Sequence, residues 1–133
     1  MPSVEELVRS GYAAFNSGQA ESFAEFWHSD AEYINAREDP DPGIHRGLED
    51  VRTQFARWVE VYPDLHADPP EIHTNGDRAF VWVRVSGRGS GSGVPISVEL
   101  ANVWTVEKGK IRRIEEFFDR AEGLEAAGLG SAS

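Results

Sequence analysis

VPISVELANVWTVEKGKIRRIEEFFD, residues 94–119, is the stretch on which the fold turns. Val94, Ile96, Val98, Leu100, Asn102, Trp104 and Val106 alternate with Ser97, Glu99, Ala101, Val103, Thr105 and Glu107. That period-two pattern is the signature of a half-buried strand. The return arm, Ile111 to Phe118, alternates as well and places Ile114, Glu116 and Phe118 on one face. Each arm therefore carries one polar residue inside an apolar stripe, Asn102 and Glu116. The turn Glu107-Lys108-Gly109-Lys110 reads as a three-residue loop with Gly109 in the left-handed position and a bulge. With Glu107 opposite Ile111, Asn102 lies opposite Glu116 on the same face; a two-residue loop would send them to opposite faces. An amide facing a carboxylate on an inward surface is the first candidate site.

Working back from this hairpin, Gly87 to Gly93 is a glycine- and serine-rich connection. It is no phosphate loop, because no Lys-Ser/Thr follows and a strand rather than a helix comes next. Arg78 to Arg88 reads as a strand with Phe80, Trp82, Arg84 and Ser86 on one face and Ala79, Val81, Val83 and Val85 on the other. Both faces carry apolar groups, so a core is expected on one side and a partner subunit on the other. Asn75-Gly76-Asp77 is a hairpin turn, and Leu65 to Thr74 is the strand before it, bent at Pro69-Pro70.

The N-terminal half reads as helical. Ser3 and Glu6 form a capping box. Val4, Leu7, Val8, Tyr12 and Phe15 make one apolar stripe, with Gly11 on it, and Asn16-Ser17-Gly18 ends the helix. A second helix is expected over Ala20 to His28, with Phe23, Phe26 and Trp27 as its apolar face. A short strand, Ala31 to Ala36, points Tyr33 and Asn35 the same way. Residues 38–43 form an acidic loop rich in breakers, without the spacing of a calcium loop. The third helix spans Leu48 to Tyr62, where Leu48, Val51, Phe55, Trp58, Val59 and Tyr62 recur at helical spacing. These aromatics read as core before they read as a cofactor box. Three helices followed by long antiparallel strands are α+β, a curved sheet with helices on one face. The chain reads as a single domain over 1–133, with a flexible tail from Gly123.

At 133 residues and 40% hydrophobic, the chain is large enough for one core. A net charge of −10 argues against nucleic acid and against anionic membranes as partners. There is no cysteine, hence no disulfide framework or thiolate chemistry. The N-terminus lacks the pattern of a secretion signal, and no run approaches the ~18 apolar residues of a membrane helix. A cytoplasmic protein is expected. His28, His66 and His73 show no ligand spacing, so no metal and no cofactor are expected.

The order of elements and four short motifs resemble the SnoaL-like polyketide cyclases of the nuclear transport factor 2-like superfamily. The motifs are Ala14 to Gly18, His28 to Asp30 followed by Tyr33-Ile34-Asn35, Gly43 to Gly47 opening the third helix, and Gly109 to Arg112 before the last strand. The resemblance implies a cone formed by a curved antiparallel sheet wrapped around three N-terminal helices, an internal pocket, and a homodimer. It places the family's acid/base aspartate at Glu116, its partner histidine at Asn102 and its asparagine at Asn35. The carboxylate is thus kept and lengthened, and the histidine is lost. Limonene epoxide hydrolase is similar at Tyr33 and Asn35, but its second aspartate falls on Arg84 or Ser86. Ketosteroid isomerase places its aspartates at Asn35 and Ala101 and its tyrosine at Gly11, beside Tyr12.

Glu116 carries two readings. It is either an ion-paired structural residue, with Arg84 as partner, or a general base whose pKa burial raises. Asn102 holds that carboxylate or donates to a substrate oxygen; a buried amide is also commonly just a satisfied structural group. Tyr33 and Asn35 are further candidate donors. Arg84, Trp82, Trp104, Tyr12 and His45 are candidate substrate-binding residues. The function expected is cofactor-independent proton transfer on a hydrophobic carbonyl compound, in a cyclase or isomerase. The alternatives are a non-catalytic ligand-binding or dimerisation module and an epoxide hydrolase-like enzyme.

Overall fold

The computed structural model describes residues 3–17, 25–38, 43–89, 91 and 93–130. Among the described residues, three helices, α1 (Val4–Asn16), α2 (Leu48–Val61) and α3 (Arg120–Ala126), accompany six strands. These are β1 (Trp27–Ile34), β2 (Ile44–Arg46), β3 (His66–Asn75), β4 (Arg78–Arg88), β5 (Pro95–Glu107) and β6 (Lys110–Phe117). They form one curved sheet in the order β2-β1-β6-β5-β4-β3. Among the described residues no helix is long and apolar enough to cross a membrane.

The α1 capping box forms as expected. Ser3 Oγ accepts from the Glu6 amide at 3.1 Å, and the Glu6 carboxylate accepts in return from the Ser3 amide at 3.4 Å. At the other end the Asn16 side chain pairs with β3 like a strand, donating to Ala67 O (2.7 Å) and accepting from Ala67 N (2.8 Å). With Leu7, Val8 and Tyr12 buried, this clamp fixes α1 on the sheet and aims Tyr12 inward. In α2, Val51 and Phe55 are buried. Phe55 and Trp58 stack edge-on against Tyr33 of β1, at centroid distances of 5.5 and 5.2 Å.

Several expectations are corrected. The helices are not all N-terminal, since α3 follows the sheet. Of the expected second helix, residues 20–24 lie outside the described residues. Trp27 and His28 belong to a strand, because Ile111 of β6 donates its amide to Phe26 O at 2.8 Å and draws the chain into the sheet. The sheet is mixed, not antiparallel: β1 runs parallel to β6. Ile44–Arg46 does not open α2 but pairs antiparallel with β1 before Gly47, at φ 87°, turns the chain into the helix.

The expected flexible tail is a docked element as far as residue 130. α3 packs on the outer sheet face, where Ala127 and the half-buried Leu124 and Leu129 cover Phe80, Ala101 and Val103. Asp119 caps it at Ala121 N, and Asn75 Nδ2 donates to Ala127 O at 2.9 Å. Residues 131–133 lie outside the described residues. The apolar outer face of β4 is therefore covered in part by the chain itself.

The decisive hairpin closes differently from the expectation. Glu107 pairs with Lys110, so the loop has two residues, Lys108 and Gly109, both at positive φ (53° and 76°). That loop alone would separate Asn102 and Glu116. A bulge corrects it: Val106 pairs with Ile111 but Thr105 with Arg113, leaving Arg112 as the extra residue. Beyond the bulge, Asn102 lies opposite Glu116.

Candidate functional site

The inner face of the sheet, α1 and α2 enclose a cavity of about 250 Å³. Phe15, Tyr33, Phe55 and Trp58 form an aromatic wall; Val83, Val85 and Leu100 form the sheet wall; Ile96, Val98, Tyr62 and Leu65 lie along the more exposed side. At the buried end stand Tyr12, Asn102, Trp104, Ile114 and Glu116, all under one-tenth exposed. Among the described residues lining the cavity, Glu116 is the only carboxylate, and no Lys or Arg lines it.

The polar groups are arranged in two bonded sets. Tyr33 Oη donates to Glu116 Oε2, and the Ala36 amide donates to Glu116 Oε1 at 3.3 Å. The far side of Glu116 borders a second pocket of about 350 Å³, which Asn35, Glu115 and Phe117 also line. In the other set, Asn102 Nδ2 and Trp104 Nε1 both donate to Tyr12 Oη, at 2.8 and 3.1 Å. Burial pushes the Tyr12 phenol well above the ordinary tyrosine range. The two hydrogen bonds oppose that shift, and the charge of Glu116 adds to it. The phenol therefore remains protonated throughout the physiological range. Asn102 Oδ1 is buried and has no hydrogen-bond partner among the described residues.

Of the residues singled out in the sequence, Glu116, Asn102, Tyr33, Tyr12 and Trp104 come together on this cavity. Four do not. Asn35 falls just beyond the end of β1, and its Oδ1 lies 3.0 Å from His45 Nε2. His45 Nδ1 in turn lies 3.7 Å from Asp50, so this pair faces α2 rather than the cavity. Trp82 and Arg84 are on the outer face. The β4–β5 register sets Val83 opposite Leu100 and Arg84 opposite Glu99. Cross-strand partners share a face, so the stripe containing Asn102 takes Val81, Val83 and Val85 with it. Arg84 approaches Glu99 at 3.8 Å and Trp82 Nε1 donates to the same carboxylate at 2.9 Å. The Arg84–Glu116 ion pair, one of the two readings open for Glu116, does not form, since Arg84 lies on the other face beside Glu99. Asn102 does not hold the carboxylate either; its NH2 is turned to Tyr12.

The sequence reading missed Phe55 and Trp58 as cavity walls, having placed them in the core. Their i, i+3 spacing and continuation to Tyr62 was the available signal. The backbone amide of Ala36 carries no sequence signal at all. Among the described residues no three His, Asp or Glu side chains gather in a way that would hold a metal ion.

The SnoaL-like domain family matches residues 8–114, most of the chain. The chain belongs to this SnoaL-like family. Solved structures agree on the architecture. Bal32a, from a soil-derived mobile gene cassette, is 25% identical with a TM-score of 0.77, over 95% of this chain and 93% of that one. SMa1630 of Sinorhizobium meliloti, assigned by name to the polyketide cyclases, is 25% identical with a TM-score of 0.67, over 87% and 94%. A protein of ketosteroid isomerase-like fold from Catenulispora acidiphila DSM 44928 is 17% identical with a TM-score of 0.76, over 96% of each chain. No curated protein matches by sequence. In this SnoaL-like domain the matched span holds Tyr12, Tyr33 and Asn102, and ends two residues before Glu116.

Proposed function

We propose that this SnoaL-like domain is a cofactor-independent enzyme that moves a proton on a hydrophobic carbonyl compound, with cyclisation or isomerisation as the outcome. The observation that carries the reading is the carboxylate of Glu116, buried at the end of a mainly apolar cavity and oriented by Tyr33 and the Ala36 amide. A carboxylate so held is positioned as a general base. It takes a proton from the carbon next to the carbonyl; the C–H electron pair moves into the enol system. For isomerisation the protonated Glu116 returns the proton to the rearranged carbon. For cyclisation the enolate carbon attacks a second carbonyl of the same molecule, the C=O electron pair moves onto oxygen, and the protonated Glu116 gives its proton to that alkoxide, so neither outcome needs an oxidant or a second substrate. Tyr33 keeps the carboxylate in one rotamer, and Tyr12 stands where a substrate oxygen is bound.

The epoxide-opening alternative is disfavoured by the lining, which offers no second carboxylate among the described residues. The reading includes a homodimer, supported by the family resemblance and by the outer face around Trp82 and Arg84 that α3 leaves uncovered; sedimentation velocity tests it. Proton transfer is tested by NMR in D2O with a panel of aromatic and polycyclic ketones, following loss of α-proton signal. The wild type exchanges at least one compound, and Glu116→Gln slows that exchange by about 10²-fold or more with the fold intact. Exchange that survives the substitution removes Glu116 from the mechanism. Uptake of ligands without any exchange establishes the non-catalytic binding module instead.

A further inference from the structure

The apolar stripe that lines the cavity along β5 continues beyond the enclosed space. Trp104 and Leu100 are buried, Val98 is 40% exposed, and Val94, just before the strand, is 58% exposed. The roof stops early on this side: α2 ends at Val61, itself 51% exposed, and Pro63 follows. An open groove of about 440 Å³ begins there, lined by Glu60, Val61, Tyr62, Val94 and Ile96 together with two glycines. Tyr62 and Ile96 line the enclosed cavity as well, so the two spaces share a wall. The Gly89 amide donates to Val94 O at 3.1 Å, which carries the β4–β5 pairing outward and fixes Val94 beside the groove.

Among the described residues five large aliphatic side chains are exposed, and three of them, Val61, Val94 and Val98, stand at this one opening. Exposed apolar side chains scattered singly are ordinary, but gathered at a cavity mouth they mark a binding surface. A protein partner needs about 800 Å² per side, far more than two valines and the edges of Tyr62 and Ile96 present. An anionic membrane is opposed by Glu60 in the groove and by the net charge of −10. What fits is the outer part of a ligand whose head occupies the cavity. From Val98 to Val94 the chain advances about 13 Å. An extended chain gains about 3.3–3.6 Å per three bonds, so roughly eleven bonds span that distance.

We infer that this groove is a subsite for an uncharged aliphatic tail, and that Val61 and Val94 select for the tail's length. Resting on the reading of the cavity as a substrate site, this narrows the substrate to a carbonyl compound with an extended alkyl arm, its head inside and its arm along the two valines. Glu60 is the one charged side chain among the described residues lining the groove. A carboxylate or phosphate at the end of the tail would meet a like charge there, with no cation among those residues to offset it. Val61 and Val94 are specificity residues, and their role is separate from the proton chemistry of Glu116.

A series of 4-alkylacetophenones, titrated by tryptophan fluorescence, tests it: the acetyl group and ring enter the aromatic cavity and the tail leaves through the mouth. In the wild type, affinity rises about two- to fourfold for each methylene from butyl to octyl, the worth of half to full burial. The Val61→Asn/Val94→Asp protein, changed only at exposed positions, binds the butyl compound as the wild type does and loses about tenfold or more of the octyl-to-butyl ratio. A carboxylate in place of the terminal methyl of the octyl tail cancels the gain. A wild-type ratio near one overturns the inference whatever the variant does, and is the result expected if a second copy of the chain closes the groove. A rising series that the variant leaves unchanged overturns it too, since the tail then lies elsewhere. Equal affinity for the carboxylate overturns the uncharged tail. Exchange of the α-protons of the butyl compound in D2O keeps the two readings apart. Exchange with a flat series removes the groove alone; a rising series without exchange removes the Glu116 chemistry alone.

Discussion

Gly123→Ala is a test of how tightly α3 is seated, and the structure sets two effects against each other. The substitution is a gain for the helix itself, since replacing an interior glycine by alanine is worth about 0.8–1.0 kcal/mol. A Cβ at this position, however, would stand 2.6 Å from Ala101 Cβ and 3.1 Å from Phe80 Cε2. Carbon atoms rest at about 3.5–4.0 Å, so the new methyl is short of room by about 1 Å. Ala101 is a strand residue in the middle of the sheet and cannot retreat. α3 must rise, and a gap of that order forfeits roughly a quarter to a half of each dispersion contact that Leu124, Ala127 and Leu129 make below it. Overpacking of this kind costs about 1–3 kcal/mol. The clash offsets or exceeds the helix gain, and the net expectation is a loss of up to about 2 kcal/mol in equilibrium urea unfolding, with the slope unchanged. Ala101→Gly in the same chain removes the nearest atom. The two substitutions should therefore couple favourably by about 1 kcal/mol in a double-mutant cycle. A stabilised single variant, by the helix-propensity amount, would refute the close seating of α3.

The remaining predictions concern charge and the turn. Glu32 meets Arg46, Arg112 and Arg113. Burial works against its ionised form, but the guanidiniums of Arg113 and Arg46 prevail and hold the carboxyl below its usual 4.5. A depressed folded pKa stabilises the protein above the unfolded value, and that stability is lost as pH falls through the folded value. Glu32→Gln should therefore lower the urea midpoint at pH 7 and match the wild type near pH 2–3; an equal deficit at both pH values would disprove the charge origin. Lys108 sits at φ 53°, a conformation that costs an L-residue about 1–2 kcal/mol but suits asparagine. Lys108→Asn, making an Asn-Gly turn, should raise stability by about 0.5–1 kcal/mol; an unchanged urea midpoint would deny the strain.

What was legible in the sequence was whatever has a local signal. The α1 capping box, the α2 stripe, the Gly76 turn and the long alternation of β5 all depend on neighbours within a few residues. β1 does not. Its partner β6 lies about eighty residues away and runs parallel to it, and nothing in residues 27–34 specifies that direction. Phe23, Phe26 and Trp27 have helical spacing, yet Trp27 is drawn into the sheet by its pairing with Ile111. α3 is short, and its small residues look like a tail until Phe80 and Ala101 are seen beneath them. The site divides the same way. Residues on the β5 and β6 stripes were placed correctly relative to one another, whereas Arg84 was misjudged. Both faces of β4 are apolar enough to be inward, and the register across residues 87–93 decides between them.

The hairpin shows why a site can be inferred through a wrong turn. A two-residue loop and a bulge shift the pairing by opposite single steps, so together they leave the same parity as the three-residue loop that the sequence suggests. Parity is what matters, because a one-residue slip would carry Asn102, Trp104, Ile114 and Glu116 off their shared face. Trp104 and Ile114 are almost wholly buried, and burying side chains of that size outweighs the difference between two turn types, at about 1.5–3 kcal/mol for an aliphatic side chain alone. The stripe therefore dictates the parity, and the turn adopts whatever geometry closes it, with Arg112 taking up the surplus. Asn102 and Glu116 meet across the strands because the apolar residues on either side of them must, and any loop that satisfies the core delivers the same pair to the cavity.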